Sequence, residues 1–505
     1  MDGVVCDELL QEIIQRLPPS SFAAVSLVSK RWLSALRSST TSLSLSIPFS
    51  AHPLQSSSLS SILSHYPHLH SLSIHSSPFD ADDGESYPPS PPPKTPTSIS
   101  SVSLSSDALL LAVASSPSSS RLNQLRFATA AIPVSPAALL SSSSSLTRLT
   151  DLHLSSVFPY SFRWLAGFPF IKSLSLVFCP KSPAALGPID EEIRVSIEEH
   201  ETRPMKMLPL ERLSLSGLPA GERAMWWIWR RCGNLRRLRF RACEGTGDGP
   251  SSPFFPSCLP GLLELELRSS RAIADRVLLH AADRCHRLNS FLLHDGGGSE
   301  ALHHFIAQRA AGLHTIDLRL PLDLHNYHLS AIAASPSTHS PCLSTLRLQS
   351  CCLVTGDGLR SVASAAAGKA IEELALVNCD VVERDPGLLC VLGQSLPRLR
   401  KLDLSFNETM TDKELVAMLS SFSGLVEIKL QGCGKLTDAS LVWLLAFSCS
   451  KLEVADLRRC PGISSPAIET FVLMSFRLKL LCVEKKKVSE AAMVAASRRG
   501  IWIGD

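Results

Sequence analysis

Cysteine is the residue type in this 505-residue chain that most readily suggests chemistry, because its fifteen copies occur at recurring intervals. A thiolate can act as a nucleophile or bind zinc, and zinc sites usually draw paired ligands from closely spaced positions. The sequence contains no Cys-x-x-Cys pair, and many cysteines recur about 26 residues apart, which is a repeat length and not a ligand spacing. The spacing therefore predicts reduced, metal-free cysteines that pack in the interior.

The remaining residues form no recognisable catalytic motif. The sequence lacks a GxSxG elbow, a P-loop and an HExxH pair. The glycine-rich run 245–249 resembles a phosphate-binding loop, but Pro250 follows it and no helix begins there, so we expect an ordinary loop. Trp226, Trp227 and Trp229 fall in a predicted helix, where core packing is favoured over an aromatic cage for a ligand. We therefore predict a protein that is not an enzyme and needs no cofactor.

The composition argues against several further classes of protein. The 49 Lys and Arg residues nearly balance 46 Asp and Glu residues, and the net charge of +3 argues against binding nucleic acid by bulk phosphate neutralisation. No run of about 18 apolar residues could span a membrane. Residues 1–8 are acidic and lack the basic segment that begins a secretory signal. These features predict a protein of the cytoplasm, the nucleus or both, without nucleic-acid or membrane partners.

The elements that position these residues follow from one repeated pattern: Leu, two residues, Leu, one residue, Leu. It reads LRKLDL at residues 399–404, and its usual interval of about 26 residues is typical of leucine-rich repeats. The fourth and sixth residues point inward from a short strand, the third, fifth and seventh point outward, and a helical segment follows. Because one unit cannot bury its leucines alone, the pattern predicts an α/β solenoid, a curved array with parallel strands on its concave face. Clear copies begin at Leu69, Leu122, Leu149, Ile171, Leu210, Leu235, Leu262, Leu288, Leu313, Leu343, Ile371, Leu399, Leu425, Leu452 and Leu478, and a weaker copy begins at Ile99.

Most of the cysteines fall at two fixed positions of this repeat. One position is three residues after the last strand leucine, and the other is three residues before the first leucine of the next strand. Asn407 takes the first position in its own repeat. In this respect the array resembles the cysteine-containing subclass of leucine-rich repeats, and a small thiol suits a crowded turn. The first position holds Cys179, Cys243, Cys351, Cys379, Cys433 and Cys460, and the second holds Cys232, Cys285 and Cys449.

Long charged side chains fill many outward strand positions, which line the face where solenoids usually bind their partners. Arg237, Arg239 and Arg241 form the densest group of one sign and suit an acidic or phosphorylated segment of a target protein. The alternative is that Glu264 and Glu266 on the next strand neutralise these arginines. The candidate substrate-binding residues are Arg237, Arg239, Arg241, Arg268, Arg347, Lys401, Lys429 and Arg458.

The first forty residues do not follow the repeat and predict a small unit of three helices. Their apolar residues fall at helical spacing, Pro18-Pro19 ends the first helix, and Asp7 and Ser20 or Ser21 are the expected N-caps. Forty residues cannot bury this much apolar surface alone, so the unit needs a partner. The stripe of the first helix is Leu9, Leu10, Ile13, Ile14 and Leu17, and the third helix carries Leu27, Val28, Trp32 and Leu36.

Residues 5–36 resemble an F-box. The resemblance rests on the acidic start of the first helix, on the Leu17-Pro18 break and on the LVSKRW motif at residues 27–32. The family usually begins with Leu-Pro where this chain has Val5-Cys6, and losing the proline removes an apolar anchor and a rigid helix entry. The resemblance implies binding to a Skp-type adaptor, which links to the cullin scaffold of a ubiquitin ligase. The implied adaptor-binding residues are Leu9, Leu10, Ile13, Leu17, Pro18, Val28 and Trp32.

The chain as a whole divides into segments of different composition. Residues 1–40 form the F-box, 41–75 the seam and first repeats, and 76–98 a Pro- and Ser-rich loop that we expect to be disordered. Leucine-rich repeats fill residues 99–484 with an insertion at 180–208, and residues 485–505 form a C-terminal cap.

Together these features predict a substrate-recognition subunit of a Skp–cullin–F-box ubiquitin ligase, which holds an unknown target protein on the concave face for ubiquitination and degradation. Two alternatives remain open. The same scaffold could be a co-receptor for a small molecule such as a hormone or an inositol phosphate, or an adaptor without ligase activity. Interleaved carboxylates on the concave face argue against a polyphosphate at most levels of the array, because each unpaired carboxylate repels it.

Overall fold

The computed structural model of the chain describes residues 6–18, 21–47, 56–75, 106–128, 134–157, 162–178, 207–220, 224–247, 254–321, 323–334, 343–421, 424–448 and 451–505. These residues belong to two compact units. The first comprises Met1–Leu235 and Gly245–Cys258, and the second comprises Arg236–Glu244 and Leu259–Asp505. The predicted loop at 76–98 and nearly all of the predicted insertion at 180–208 lie outside the described residues.

The first unit begins with a helical module of α1 (Asp7–Arg16), α2 (Phe22–Ser26) and α3 (Lys30–Ser39). The three predicted helices are present, but the start of the third helix and one cap differ from the prediction. Cys6 and not Asp7 occupies the N-cap of α1, because the helical residues already begin at Asp7, and Cys6 makes no side-chain capping bond. Ser21 holds the N-cap of α2, also without a side-chain bond. Ser29 caps α3 by accepting a hydrogen bond from the Trp32 N–H at 3.3 Å.

The rest of the first unit is a stack of parallel strands that alternate with helices. Each strand from β1 to β6 pairs with the next in the sequence, and β2 pairs directly with β3. The weak repeat copy at Ile99 lies outside the described residues. The elements are β1 (Ser42–Ser46), α4 (Ser56–Ser64), β2 (Ser71–His75), α5 (Ser106–Ala114), β3 (Gln124–Ala128), α6 (Pro136–Ser143), β4 (Asp151–Val157), β5 (Ser173–Phe178), β6 (Arg212–Ser216), α7 (Trp226–Trp229) and α8 (Phe254–Ser257), with 3-10 turns at Ser119–Arg121 and Arg163–Gly167.

The second unit has the same construction from β7 to β17. Every strand is parallel to its neighbours, and the pairing follows the order of the sequence. The elements are β7 (Arg237–Arg241), β8 (Glu264–Arg268), α9 (Arg271–Arg284), β9 (Ser290–His294), α10 (Ser299–Arg309), β10 (Thr315–Arg319), α11 (Asn326–Ala333), β11 (Thr345–Gln349), α12 (Gly356–Ser364), β12 (Glu373–Val377), α13 (Asp380–Arg384), α14 (Leu388–Ser395), β13 (Lys401–Asp403), α15 (Asp412–Leu419), β14 (Glu427–Lys429), α16 (Asp438–Ser448), β15 (Val454–Asp456), α17 (Ser465–Met474), β16 (Leu480–Cys482), α18 (Glu490–Arg499) and β17 (Trp502–Gly504), with 3-10 turns at Ala310–Gly312, Gly368–Ala370 and Lys485–Lys487.

The leucine pattern sets the register of the strands. In β7, Leu238 and Phe240 are fully buried, while Arg237, Arg239 and Arg241 are exposed. The inward residues of successive strands stack into a continuous core within each unit, as repeats require. The third, fifth and seventh residues of each repeat form what we call the outward face. The prediction of a leucine-rich solenoid preceded by a helical module is confirmed.

A left-handed turn follows most strands of the second unit. Residues other than glycine take positive φ angles there, a conformation that usually favours glycine. The turn lets most of these residues donate the backbone N–H to a carbonyl of the next repeat, as Ala242 does to Arg268 at 2.8 Å and Asn378 to Ser405 at 2.9 Å, while the Arg459 N–H is donated to Glu484 Oε1. These bonds offset the local strain. The residues with positive φ are Ala242, Ser269, Asp295, Leu320, Ser350, Asn378, Phe406 and Arg459.

The first cysteine position of the repeat joins neighbouring repeats. The Cys433 thiol donates to the Leu404 carbonyl of the preceding repeat at 3.2 Å, and the Cys460 thiol donates to the Leu430 carbonyl at 3.0 Å. Burial raises the pKa of Cys433 to about 12 and that of Cys460 to about 11, so both thiols stay protonated and can donate. The described cysteines are free thiols, and no three His, Cys, Asp or Glu side chains in the described ranges are grouped so as to hold a metal ion. Two of the predicted repeat cysteines, Cys179 and Cys449, lie outside these ranges.

Asn407 makes more bonds than a thiol at the same position. Its Nδ2 group donates to the carbonyl oxygens of Leu376 and Leu404, both at 2.8 Å. Its Oδ1 atom accepts the Cys379 N–H at 3.0 Å. One buried amide therefore satisfies three backbone groups of two neighbouring repeats.

The C-terminal segment contains a strand that the sequence did not predict. β17 pairs with β16 in parallel, and Ile503 lies beside Leu481. This register places Gly500 where other repeats have their first leucine. Gly500 ends α18 in a left-handed conformation, with a φ of 68°, which suits a glycine C-cap. The helix cap therefore replaces the leucine by which the repeat would have been recognised.

Candidate functional site

The helical module has a small core of its own. Three of the predicted adaptor-binding residues contribute to it: Leu10 is almost fully buried, and Leu17 and Trp32 are partly buried against it. These side chains hold the three helices together, and they are not freely available to a partner. The core consists of Leu10, Ile14, Val25, Ala35 and Leu36.

The same module leaves other apolar side chains uncovered. Leu9 and Ile13, one turn apart on α1, are 54% and 42% exposed. Leu27 and Val28, which follow α2, are 86% and 60% exposed. Pro18 is also exposed. Covering side chains of this size is favourable by about 25 cal/mol per Å² of apolar area, so a partner surface would gain stability by binding them.

Leu27 was missing from the predicted adaptor-binding set. Leu27 and Val28 were expected in the third helix, but α3 begins only at Lys30 because Ser29 is its cap. Both residues therefore lie in the connection between α2 and α3. Two adjacent aliphatic residues directly before a serine N-cap were the available signal, since a short connection cannot bury them.

Asp7 has a different role from the predicted cap. Its Oδ1 atom accepts hydrogen bonds from Arg31 Nε at 2.9 Å and from Arg31 Nη2 at 2.7 Å. The pair links the first turn of α1 to the first turn of α3. Because the Asp7 side chain is largely exposed, this contact contributes little to stability.

The predicted substrate-binding arginines of β7 lie beside carboxylates of β8. Arg237 Nη2 contacts Glu264 Oε1 at 3.0 Å, and Arg239 Nε contacts Glu266 Oε2 at 2.8 Å. Glu266 Oε1 is also bound by Arg268 Nε on the same strand. The two glutamates thus accept contacts from the arginines, as the alternative interpretation expected. Exposed pairs of this kind contribute about 0–1 kcal/mol each.

Arginines on later strands are held by aspartates of their own strand. Arg319 Nε and Nη2 bind the Asp317 carboxylate at 2.9–3.1 Å. Arg458 binds Asp456 in the same two-atom way, at 3.0 and 2.6 Å. Asp317 and Asp456 are buried although they occupy outward positions. In each pair the aspartate binds two nitrogen atoms of the arginine, and the two charges largely cancel.

The remaining candidates form a connected group on β11–β14. Arg347 Nη2 reaches Asp403 Oδ2 at 3.1 Å, although the two strands that carry them are separated by β12. The residue between them in register is Ala375, whose small side chain leaves space for the arginine. Lys429 contacts Glu427 at 3.0 Å, and Lys401 contacts the same glutamate from 3.9 Å. The structure thus places every candidate cation on the outward face and pairs nearly all of them.

The tryptophan helix packs in the core, as predicted. Trp227 and Trp229 are buried in α7. The Trp229 indole N–H donates to the Thr246 carbonyl at 2.8 Å, and its ring meets Phe255 edge-on at a centroid distance of 5.2 Å. This bond ties part of the glycine-rich run to the core, while residues 248–253 lie outside the described ranges.

None of the described helices has both the length and the hydropathy that a membrane span requires.

Comparison with known proteins identifies the helical module. Residues 5–41 match the F-box domain family. The chain is also similar to a chain in the crystal structure of the Rad7 and Elc1 complex from yeast, with 17% sequence identity and a TM-score of 0.42. That match covers 73% of this chain and 88% of the yeast chain. The predicted resemblance of residues 5–36 is therefore confirmed.

Proposed function

Because the chain carries an F-box domain at residues 5–41, we propose that it is the substrate-recognition subunit of a Skp–cullin–F-box ubiquitin ligase. F-box domains bind Skp1-type adaptors and are generally not catalytic themselves. The observation that supports this role best is the apolar surface of Leu9, Ile13, Leu27 and Val28, which a folded module leaves uncovered. Such a surface suits the apolar core of a protein interface.

The predicted adaptor-binding residues divide into two groups within this proposal. Leu9, Ile13 and Val28, together with Pro18 and the added Leu27, contact the adaptor directly. The buried group, which holds the helices in place beneath them, consists of Leu10, Leu17 and Trp32.

The departure at Cys6 is compatible with this docking mode. Cys6 has a φ of −69°, which is the angle that a proline ring imposes. Its carbonyl oxygen accepts the Leu10 N–H at 3.0 Å, as the first residue of a helix entry should. The chain therefore enters α1 in a proline-like conformation, and we expect Cys6→Pro to keep or raise adaptor affinity.

The contribution of the repeats is to hold a target protein near the ligase. Ubiquitin transfer then gains from a raised effective concentration, and this chain performs no covalent step. The outward face is the proposed target-binding surface, in the cytoplasm, the nucleus or both. The division into an F-box at 1–40, repeats at 99–484 and a cap at 485–505 remains part of the proposal.

A co-purification experiment with a matched control tests this function. The full chain is co-expressed with a Skp1-type adaptor as wild type, Leu9→Asp and Leu473→Asp. Leu473 on α17 is 51% exposed, against 54% for Leu9, so both variants add a charge to an equally exposed leucine. We expect Leu9→Asp to lose the adaptor and Leu473→Asp to retain it, because only the former places a charge in the interface. Equal retention by both variants, or no binding by the wild type, would contradict the proposal.

A further inference from the structure

Glu266 on β8 is bound on both sides by arginine. Its Oε2 atom contacts Arg239 Nε at 2.8 Å, and its Oε1 atom contacts Arg268 Nε. The contact recorded for each arginine is made by its Nε atom, and no described residue forms a hydrogen bond with the terminal Nη groups of either. The Glu266 side chain is only 17% exposed, whereas that of Arg239 is 58% exposed. Solvent therefore meets guanidinium groups, with the carboxylate beneath them.

Arg241 adds a further positive charge at the same place. The parallel register sets Arg241 directly beside Arg268, with strands about 5 Å apart. Arg241 is exposed, and no described residue forms an ion pair or hydrogen bond with its side chain. Glu266 therefore contacts the guanidinium groups of Arg239 and Arg268, while Arg241 beside them adds a third positive charge without a carboxylate partner among the described residues. We call these four residues the arginine patch.

The other arginines of the outward face do not have this surplus. Arg319 and Arg458 each direct two nitrogen atoms to an aspartate of the same strand. Arg319 is mostly buried, and Arg458 contacts the Asp505 carbonyl with its remaining nitrogen at 3.4 Å. Their donors are largely used within the protein. The arginine patch differs because its donors are exposed and free to take another anion.

We propose that the arginine patch binds an acidic segment of the target protein, through carboxylates or phosphorylated side chains. This inference rests on the proposed function only for the statement that the bound peptide belongs to a substrate. A guanidinium group can bind a carboxylate or phosphate with two parallel hydrogen bonds, which lysine cannot do. Arg241 and Arg268 lie on neighbouring strands, and one anionic group can therefore contact both.

A peptide fits the patch better than a nucleic acid does. The surplus charge is confined to β7 and β8, and Glu264 borders it beside Arg237. A phosphate backbone needs a row of cations, and it is repelled by carboxylates along its path. A short acidic segment of a folded protein needs only two or three contacts.

Fluorescence anisotropy with the purified full chain tests the proposal. The probes are labelled peptides of alternating glycine and glutamate, of alternating glycine and phosphoserine, and of alternating glycine and lysine, with a single-stranded oligonucleotide as a fourth probe. The variants are Arg241→Gln combined with Arg268→Gln, and Glu266→Gln alone. Arg458→Gln is the matched control, because Arg458 also occupies an outward strand position but its side chain is already paired with Asp456.

We expect the anionic peptides to bind and the lysine peptide to fail. The double arginine variant should weaken binding about tenfold or more, because charge-assisted hydrogen bonds are lost. Glu266→Gln should strengthen binding, because it removes the carboxylate that competes for the same guanidinium groups. A gain of affinity cannot be produced by misfolding. Tighter binding of the phosphoserine peptide would identify a modified segment as the ligand, and tighter binding of the glutamate peptide an unmodified one.

Three results would overturn the inference: no binding of either anionic peptide, an equal loss in Arg458→Gln, or tighter binding of the oligonucleotide through the same arginines. Adaptor binding is measured on the same variants. If the adaptor binds and the peptides do not, the peptide inference fails and the ligase function stands. If the peptides bind and the adaptor does not, the ligase function fails and the acidic-peptide site stands.

Discussion

The two proposed interfaces of this chain differ in side-chain chemistry. The F-box surface is apolar and exposed to solvent: Leu9, Ile13, Leu27 and Val28 lie outside the small core of the module. The outward face of the repeats is charged, and most of its cations already have partners within the protein. An apolar surface gains free energy from area and shape, whereas a charged surface gains it from a few unpaired donors. Exposed apolar side chains support the first proposed interface, and unused hydrogen-bond donors support the second.

The largest expected effect on stability comes from a substitution in the F-box core. We expect Leu10→Asp to destabilise the module by about 3–5 kcal/mol, because an unpaired charge would lie in its core. Leu9→Asp, one residue earlier, should leave the module folded. Hydrogen exchange of the α1–α3 amides measures the difference. Similar protection in the two variants would show that neighbouring positions on α1 do not divide into core and interface.

The rigidity of the outward face is tested at Asn407. Asn407→Ala leaves two carbonyl oxygens and one N–H without their partner, which should cost about 2–3 kcal/mol. Asn407→Cys is the control, because a thiol occupies this position in other repeats and donates to the same kind of carbonyl. It should cost less. Denaturant unfolding of the second unit measures both, and adaptor binding should be unchanged in each.

The salt dependence of binding should differ between the two proposed interfaces. Raising the salt concentration from about 50 to 300 mM shortens the electrostatic screening length roughly twofold, which is enough to weaken exposed ion pairs. We expect anionic peptide binding to weaken severalfold and adaptor binding to change little, because apolar burial is not screened. Titrations of both partners at the two salt concentrations provide the measurement. Strong salt dependence of adaptor binding would mean that the F-box surface is not mainly apolar in function.

The smallest expected difference is in the response to acid. Burial lowers the pKa of His328, whose Nδ1 accepts the His325 N–H at 3.0 Å and whose Nε2 contacts the Ser299 carbonyl at 2.9 Å. Its folded-state pKa is below the unfolded value of about 6.5, so the unfolded chain takes up the proton first. The stability from the neutral ring is therefore present above about pH 6.5 and is lost as the pH falls through the folded pKa.

We expect this loss to be confined to the repeats, because residues 1–40 contain no histidine. Hydrogen exchange of α10 and α11 between pH 5.5 and 7.5, at about one-half unit intervals, measures it against α1–α3 as the reference. His328→Gln should flatten the response, and His304→Gln, which changes an exposed histidine, should not. Equal acid sensitivity of α1–α3 would contradict the assignment to His328.

The sequence predicted the parts of the molecule that depend on burial. Leucine spacing located the strands and their inward residues, because only one register buries them. The left-handed residues such as Ala242 and Asn378 could not be predicted, since no glycine marks them and the compensating bonds come from the next repeat. The strand at Trp502–Gly504 was missed because a helix cap replaces its first leucine.

The candidate sites were predictable in position but not in pairing. Arg239 and Arg458 look equivalent in the repeat pattern, since each occupies an outward strand position. Arg458 forms an ion pair with Asp456 of its own strand, whereas Arg239 shares Glu266 with a second arginine. That distinction depends on which nitrogen atoms are used, and strand alternation alone does not determine it. The F-box set had the same difficulty, because Leu9 and Leu10 differ only in the helix face that the core selects.

The affinity of the full chain for a Skp1-type adaptor tests the central claim most directly. It is measured for the wild type, for Leu9→Asp combined with Leu27→Asp, and for Arg239→Glu combined with Arg241→Glu. The account predicts that the F-box variant weakens adaptor binding about a hundredfold or more, since two central apolar contacts are replaced by charges. It predicts that the arginine variant binds as the wild type does. Adaptor binding that survives the F-box substitutions, or that is lost with the arginine substitutions, would contradict the account.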